Sequence, residues 1–276
     1  MQSKNTAVSG WFSYGYFSKS LPRAAIVYNE TMKNTFTVPY FNAVENVLKR
    51  IEETQGGAME KAARAVAASL ENDGVLHTFG CGHSASVALE PFHRSGCFAA
   101  ADAVLDPGLM FQSGAHAGTA FERLEGYALA VLARHKFKPQ DVLLVVSNSG
   151  RNPAGVDAVR YARERGVTAI AITAAGAHTQ SKSRHSSGLL LKDAADIVLD
   201  NCCSANETAL ELGGVELAPV STVASSALLH AVLYRAAEIL HEKGLELPVY
   251  RSSNAGGDEH NTRLAQRYAG RIKHLD

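Results

Sequence analysis

The chain has 276 residues, and its 27 Lys and Arg against 27 Asp and Glu leave a formal net charge of zero. This length buries a large core as one α/β domain with helical additions, and the balanced charge speaks against nucleic acid or a membrane surface as partner. A small polar metabolite is the ligand class that remains.

No apolar run reaches the roughly 18 residues that span a bilayer, and the start carries no apolar signal-peptide region, so a cytoplasmic protein is expected. The cysteines, Cys81, Cys97, Cys202 and Cys203, have neither zinc-ligand nor disulfide-framework spacing and read as reduced thiols. No metal and no cofactor is expected.

Residues 1–35 mix isolated aromatics (Trp11, Phe12, Tyr14, Tyr16, Phe17) with Ser, Asn and Lys and show no period, which predicts a poorly ordered extension. Met32, just before the first periodic segment, is a candidate start of translation. The folded domain then covers 36–276. Val44, Val47, Leu48 and Ile51 recur at i, i+3, i+4 and i+7, the stripe of one helix, and a second helix is predicted over 57–71.

A strand over 75–79 ends in Gly80-Cys81-Gly82-His83-Ser84, and a helix over 84–94 should kink at Pro91. Cys81 between two glycines reads as a small packed residue, with oxidation sensitivity as the alternative. The spacing G-x-G-x-x-A imitates a dinucleotide fingerprint with Asp102 as its ribose-binding acid. That reading leaves a second Ser-rich loop unexplained; a hydroxyl at the start of each of two helices fits a phosphate monoester better. A second strand is expected over 98–104 and a helix over 119–134. Thr119-x-x-Glu122 has capping-box spacing, so Glu122 is either the carboxylate holding that helix start or a catalytic group.

The most informative stretch runs D-V-L-L-V-V-S-N-S-G-R-N-P from Asp141 to Pro153. Residues 142–146 read as a strand buried on both faces. Asn152 suits an N-cap and Pro153 the first helical position, so Ser147, Asn148, Ser149, Gly150 and Arg151 lie between a strand's carboxyl end and a helix's amino end. Unpaired N–H groups and the helix dipole converge there, making a phosphate cradle; an ordinary Ser- and Asn-rich turn is the alternative.

Further strands are expected over 169–173 and 197–200. The segment 179–191, rich in Ser, Lys, Arg and His, reads as a mobile substrate-side loop from which Arg184 and His185 either reach an anion or face solvent. A long apolar helix over 219–244, opening with Ser221 and Thr222, is buried in the core or in a dimer contact. Gly256-Gly257-Asp258-Glu259-His260-Asn261 lacks metal-ligand spacing and reads as a capping turn.

These alternating strands and helices with two Ser-bearing loops resemble the sugar isomerase (SIS) domain from about Pro39 to the C-terminus, most specifically at S-N-S-G-R-N-P. The resemblance implies a flavodoxin-like, doubly wound parallel sheet with extra N-terminal helices, in a homodimer or homotetramer. It also implies a sugar-phosphate ligand held by Ser84, Ser147, Asn148, Ser149, Arg151 and Asn152, with Thr222 at a third wall.

Ser149 to Pro153 followed by A-V-R-Y-A-R-E-R-G is similar to the N-acetylmuramic acid 6-phosphate etherases, which use glutamates on the helices after the first two strands; the counterparts are Glu90 and Glu122. Phosphoheptose isomerases share the domain, but their histidine–glutamate pattern on the first helix is not reproduced here. The expected chemistry is removal of the C2 proton of an N-acetylhexosamine 6-phosphate followed by elimination at C3. Aldose–ketose isomerisation, phosphosugar sensing without catalysis and nicotinamide binding are the alternatives. His83 is a candidate for ring opening or for protonating the leaving group.

Overall fold

The computed structural model describes residues 38–275. The expected low order before residue 36 and the start at Met32 lie outside the described residues.

The first element is one helix, α1 (Val38–Glu71), where two were predicted. The stripe through Val47 and Ile51 continues in register through Met59, Ala62, Ala63 and Val66, so a single buried face spans both segments. Gly56 and Gly57, where the second helix was expected to begin, have nothing within 4 Å of an added Cβ and cost only helix propensity.

β1 (Leu76–Gly80) leads into α2 (Ser84–Leu89), which stops before Pro91 rather than kinking at it; a ring without an N–H cannot continue the ladder. β2 (Ala101–Val104) is shorter than expected, because Phe98 bridges to Val249 instead. The helix predicted over 119–134 is two, α3 (Ala115–Glu122) and α4 (Tyr127–Leu132), parted by Gly126 at φ 85°. Glu122 therefore ends a helix that begins before Thr119, and the capping-box reading fails.

β3 (Val142–Val146), α5 (Pro153–Arg163) and β4 (Thr168–Thr173) follow as expected, with Asn152 and Pro153 at the start of α5. A single turn of helix, α6 (Leu191–Ala194), precedes β5 (Ile197–Asp200). β6 (Thr208–Leu212) and β7 (Val215–Pro219), for which no prediction stood, pair antiparallel across Gly213-Gly214, both at positive φ (60° and 80°). Two such residues between alternating strands make a tight hairpin turn. α7 (Ser221–Glu242) and α8 (Asp258–Tyr268) complete the domain.

The five central strands are parallel in the order β2-β1-β3-β4-β5, a flavodoxin-like sheet. Alternate residues of β3 face different layers. Val142, Leu144 and Val146 pack beneath α1 and α7, whereas Leu143 and Val145 pack with Val131 and Leu132 of α4 and Val156 and Val159 of α5. Among the described residues, α7 is the one helix with the length and apolar content of a membrane span, contrary to the reading that no segment has them. Its Leu228, Leu229 and Val232 are fully buried against the rest of the fold.

The G-G-D-E-H-N segment serves the backbone beside it. Asn261 accepts the Arg251 N–H (2.9 Å) and donates to the Arg251 carbonyl (2.8 Å), and His260 Nε2 meets the Val249 carbonyl at 3.0 Å. Gly257 is pressed against Arg251, whose carbonyl oxygen would lie 2.9 Å from any Cβ there.

Candidate functional site

With β1 flanked by β2 and β3 by β4, the chain leaves these two central strands in opposite directions, and a crevice opens between their carboxyl ends. A cavity of about 210 Å³ occupies it. Its walls are the loop after β1 (Cys81, Gly82, His83, Ser84), the loop after β3 (Ser147, Asn148, Ser149, Asn152), α3 (Gly118, Thr119, Glu122) and the start of α7 (Ser221, Thr222, Ser225), with Phe111 and Glu207.

Two glycines permit these loops. A Cβ on Gly80 would lie 2.5 Å from the Ser84 carbonyl oxygen, so α2 can turn back over the end of β1 only where the side chain is absent. Gly150 adopts φ 59°, and a Cβ there would stand 2.9 Å from Thr173 Oγ1 and 3.1 Å from Leu191 Cβ. The loop closes on itself: the Gly150 N–H donates to Ser147 Oγ at 3.2 Å, and the Gly150 carbonyl accepts the Leu191 N–H at 2.8 Å. Asn152 has an extended backbone and makes no side-chain cap, and Ala154 and Gly155 of the first turn of α5 line the cavity. The amino end of an 11-residue helix thus opens among hydroxyls, an arrangement suited to an anion.

Asn152 also links the site sideways. Its Nδ2 donates to Glu122 Oε1 at 2.5 Å, and its Oδ1 accepts from Arg184 Nη1 at 2.7 Å. Burial pushes the Glu122 carboxyl above the ordinary carboxylate range; Arg123 and Arg184 offset part of this, while the charge of Glu207 adds to it. Burial, reinforced by Glu122, raises the Cys81 thiol far out of the thiolate range, which fits a packed rather than a reactive cysteine. The His83 ring meets Phe111 edge-on at 4.9 Å. Asn148 accepts from Asn201 Nδ2 at 2.8 Å, tying the loop after β3 to the end of β5.

His83, Ser84, Glu122, Ser147, Asn148, Ser149, Asn152 and Thr222 are therefore brought to one cavity, and two other candidates are not. Glu90 lies past the end of α2 with its Oε1 between Arg94 (3.1 Å) and His230 Nε2 (3.3 Å), because Pro91 ends the helix instead of bending it inward. Arg151 turns away to donate from Nε to the Lys182 carbonyl at 2.8 Å. The segment 179–191 is tied down where mobility was expected. His185 is buried with Nε2 3.1 Å from Asp157 Oδ1, and Ser186 donates from N and Oγ to Glu125. Sequence reasoning passed over Glu207, Ser225 and Phe111 as site residues; the Gly213-Gly214 hairpin signal would have drawn attention to the turn bearing Glu207.

Asp102 is not a ribose ligand. It is the second residue of β2, fully buried, and its Oδ2 lies 2.8 Å from His77 Nδ1 and 2.7 Å from His135 Nδ1. Among the described residues these three are the group whose donor atoms cluster closely enough for one metal ion. Separations of 2.7 and 2.8 Å are those of hydrogen bonds; tetrahedral ligands at zinc distances stand about 3.3 Å apart.

The SIS domain family model matches residues 39–174. The chain is 38% identical over 239 residues to a UPF0309 protein of Listeria monocytogenes serovar 1/2a, covering 86% of this chain and 98% of the relative. It is 36% identical over 243 residues to a UPF0309 protein of Thermoanaerobacter pseudethanolicus, again covering 86% and 98%. Among solved structures it is similar to a phosphoheptose isomerase of Neisseria gonorrhoeae (20% identity, TM-score 0.47, 75% of this chain and 100% of that one). It is also similar to the sugar isomerase domain of an RpiR transcription factor of Sphaerobacter thermophilus (22% identity, TM-score 0.44, 86% and 99%).

Proposed function

The chain belongs to the SIS-domain family, in the group of UPF0309 proteins that it matches along almost their whole length, and from that premise we propose that it is an enzyme acting on a sugar phosphate, of which it removes the C2 proton. The observation that carries this reading is the Glu122 carboxyl, raised by burial and held by Asn152, in the same cavity as the hydroxyl-rich loops and the amino end of α5.

In this reading the phosphate sits among Ser84, Ser147, Ser149 and the first amides of α5, with Thr222 at the third wall. Charge-assisted hydrogen bonds of this kind contribute about 1.5–3 kcal/mol each. The sugar opens to its aldehyde, with His83 assisting, and the carbonyl at C1 acidifies the proton on C2. Asn152 occupies Glu122 Oε1, which leaves Oε2 to take that proton. A carboxylate of raised pKa is the stronger base, as general-base catalysis near neutral pH requires.

The resulting enolate expels the oxygen substituent at C3 or, where C2 carries a hydroxyl and the intermediate is an enediolate, is reprotonated at C1. The etherase-like S-G-R-N-P and the helix after it favour elimination from an N-acetylhexosamine 6-phosphate; isomerisation is the other outcome. Incubation with N-acetylglucosamine 6-phosphate and N-acetylmuramic acid 6-phosphate in D2O, followed by proton NMR, tests the proposal. Deuterium at C2 is expected with at least one of the two; if neither exchanges nor converts, the enzymatic reading falls.

A further inference from the structure

Glu122 and Glu207 are the two carboxylates in the wall of the cavity, and they arrive from different parts of the fold. Glu122 ends the helix α3, which follows β2, whereas Glu207 ends the turn between β5 and the β6–β7 hairpin. We propose that Glu207 is the second catalytic carboxyl of this site, the group that protonates the oxygen leaving C3 once Glu122 has taken the proton from C2. This rests on the C2-abstraction reading above and adds to it a donor that neither the sequence nor the family resemblance assigned.

The backbone of Glu207 is at φ 67°, a left-handed conformation unfavourable for a long side chain. Two hydrogen bonds hold it there: the Glu207 N–H donates to the Ser204 carbonyl at 3.1 Å, and the Glu207 carbonyl accepts the Val220 N–H at 3.0 Å. Strain of this sort persists where the surroundings overdetermine a position, and it gathers at active sites. The side chain is aimed as well as the backbone. Ser221 Oγ, itself in the cavity wall, donates to Glu207 Oε2 at 3.1 Å, which leaves Oε1 free.

Among the described residues, neither Glu122 nor Glu207 forms an ion pair, although Arg123 and Arg184 stand near Glu122. The step uses Glu122 as the base and Glu207 as the proton donor. The C2–H bond breaks and its proton passes to Glu122 Oε2. The electron pair moves onto the C1 oxygen as an enolate; when the C1 carbonyl re-forms, the pair makes the C2–C3 double bond, the C3–O bond breaks, and the Glu207 proton passes to the departing oxygen. Glu122 ends protonated and Glu207 ionised, and exchange with water restores the pair. With Glu90 held by Arg94 and His230 outside the cavity, Glu207 supplies the acid that a pair of carboxyls needs.

The test follows C2 deuteration and lactate release separately, with N-acetylmuramic acid 6-phosphate in D2O, for the wild type, Glu122→Gln and Glu207→Gln. Glu122→Gln should lose both. Glu207→Gln should keep C2 exchange and affinity for the sugar phosphate while lactate release falls about 100-fold or more. Ser221→Ala, which only unseats the carboxyl, should show the same split to a smaller degree. Lactate release by Glu207→Gln at the wild-type rate overturns the role of Glu207 and leaves that of Glu122 standing. Loss of exchange, release and affinity together in Glu207→Gln also overturns it, by making Glu207 a binding or structural residue. A wild type that shows no C2 exchange removes the underlying reading itself.

Discussion

His77 Nδ1 lies 2.8 Å from Asp102 Oδ2, with both side chains fully buried at the amino ends of β1 and β2. The other ring nitrogen, Nε2, lies 3.3 Å from Asp141 Oδ2. Carboxylates only accept, so an imidazole with one at each end carries protons on both nitrogens. His77 is thus a buried imidazolium. Burial alone would lower its pKa, but the hydrogen bonds to Asp102 and Asp141 together outweigh it and the net shift is upward. Arg271 on the last segment of the chain closes the network on Asp141 at 2.9 and 3.0 Å.

The sign of the resulting pH dependence follows. The stabilisation from His77, whose native pKa is raised, is complete below the ordinary histidine value of about 6.5 and is lost as pH rises through the native value. Asp102 and Asp141 are lowered, burial being outweighed by their hydrogen bonds, chiefly from His135 and His77 for Asp102 and from His77 for Asp141. Their contribution is present above about 3.9 and is lost as pH falls through the native values. Melting temperatures from pH 4 to 9 should therefore decline on the alkaline side. His77→Gln should flatten that limb, and His77→Ala should cost about 3–5 kcal/mol by taking the imidazolium from buried Asp102 and leaving Asp141 with Arg271 alone. An alkaline limb of equal slope in wild type and His77→Gln would show that His77 is not the titrating group.

Removing one hydroxyl tests the cradle. Ser149→Ala should weaken N-acetylglucosamine 6-phosphate about tenfold or more, the equivalent of one charge-assisted hydrogen bond, without changing the melting temperature. Isothermal calorimetry reads the affinity directly, and an unchanged value would take Ser149 out of the cradle.

Gly150→Ala acts on the same loop through its backbone. At φ 59°, with Thr173 Oγ1 and Leu191 Cβ within 3.1 Å of the new methyl, the substitution should cost about 1–3 kcal/mol and also weaken phosphosugar binding. Urea unfolding measures the first effect and calorimetry the second; a fully stable variant with native affinity would mean that the loop does not need this conformation.

For Glu122→Gln, loss of C2 exchange with nearly unchanged affinity is expected, because the amide keeps the shape and cannot take the proton. The melting temperature should barely move, since Glu122 ends α3 and caps no helix start. In the wild type, kcat/KM should fall as pH drops through a value above the ordinary carboxylate range, because Glu122 must be ionised to act and its pKa is raised. A profile that stays flat down to the usual carboxylate range would point to another base.

Assembly is the last expectation. Phe41, Leu212, Val215 and Tyr234 are 59%, 75%, 64% and 70% exposed, which is more large apolar surface on α1, the hairpin and α7 than a solitary domain commonly shows. Light scattering should report a homodimer or larger, and a monomer at high concentration would contradict it.

Local rules made a good part of this protein legible from its residues alone. The five parallel strands, the start of α5 at Asn152-Pro153 and the two Ser-bearing loops follow from short apolar runs, turn chemistry and helix-start preferences, all of which act over a few neighbouring residues. The family resemblance rested on those same loops. What lay beyond reach was set by contacts between distant segments. One continuous α1 forms because a single face is buried along its whole length, so packing overrides two weak glycines. By sequence Glu122 is the favoured base and Glu90 depends on Pro91 bending its helix inward; instead Pro91 ends that helix, so Glu90 meets Arg94 and His230 while Glu122 lines the cavity. Glu207 reaches the cavity, and His77 gains its second proton, only because the fold brings together residues many positions apart, and no short-range pattern encodes which partners a buried charge will meet.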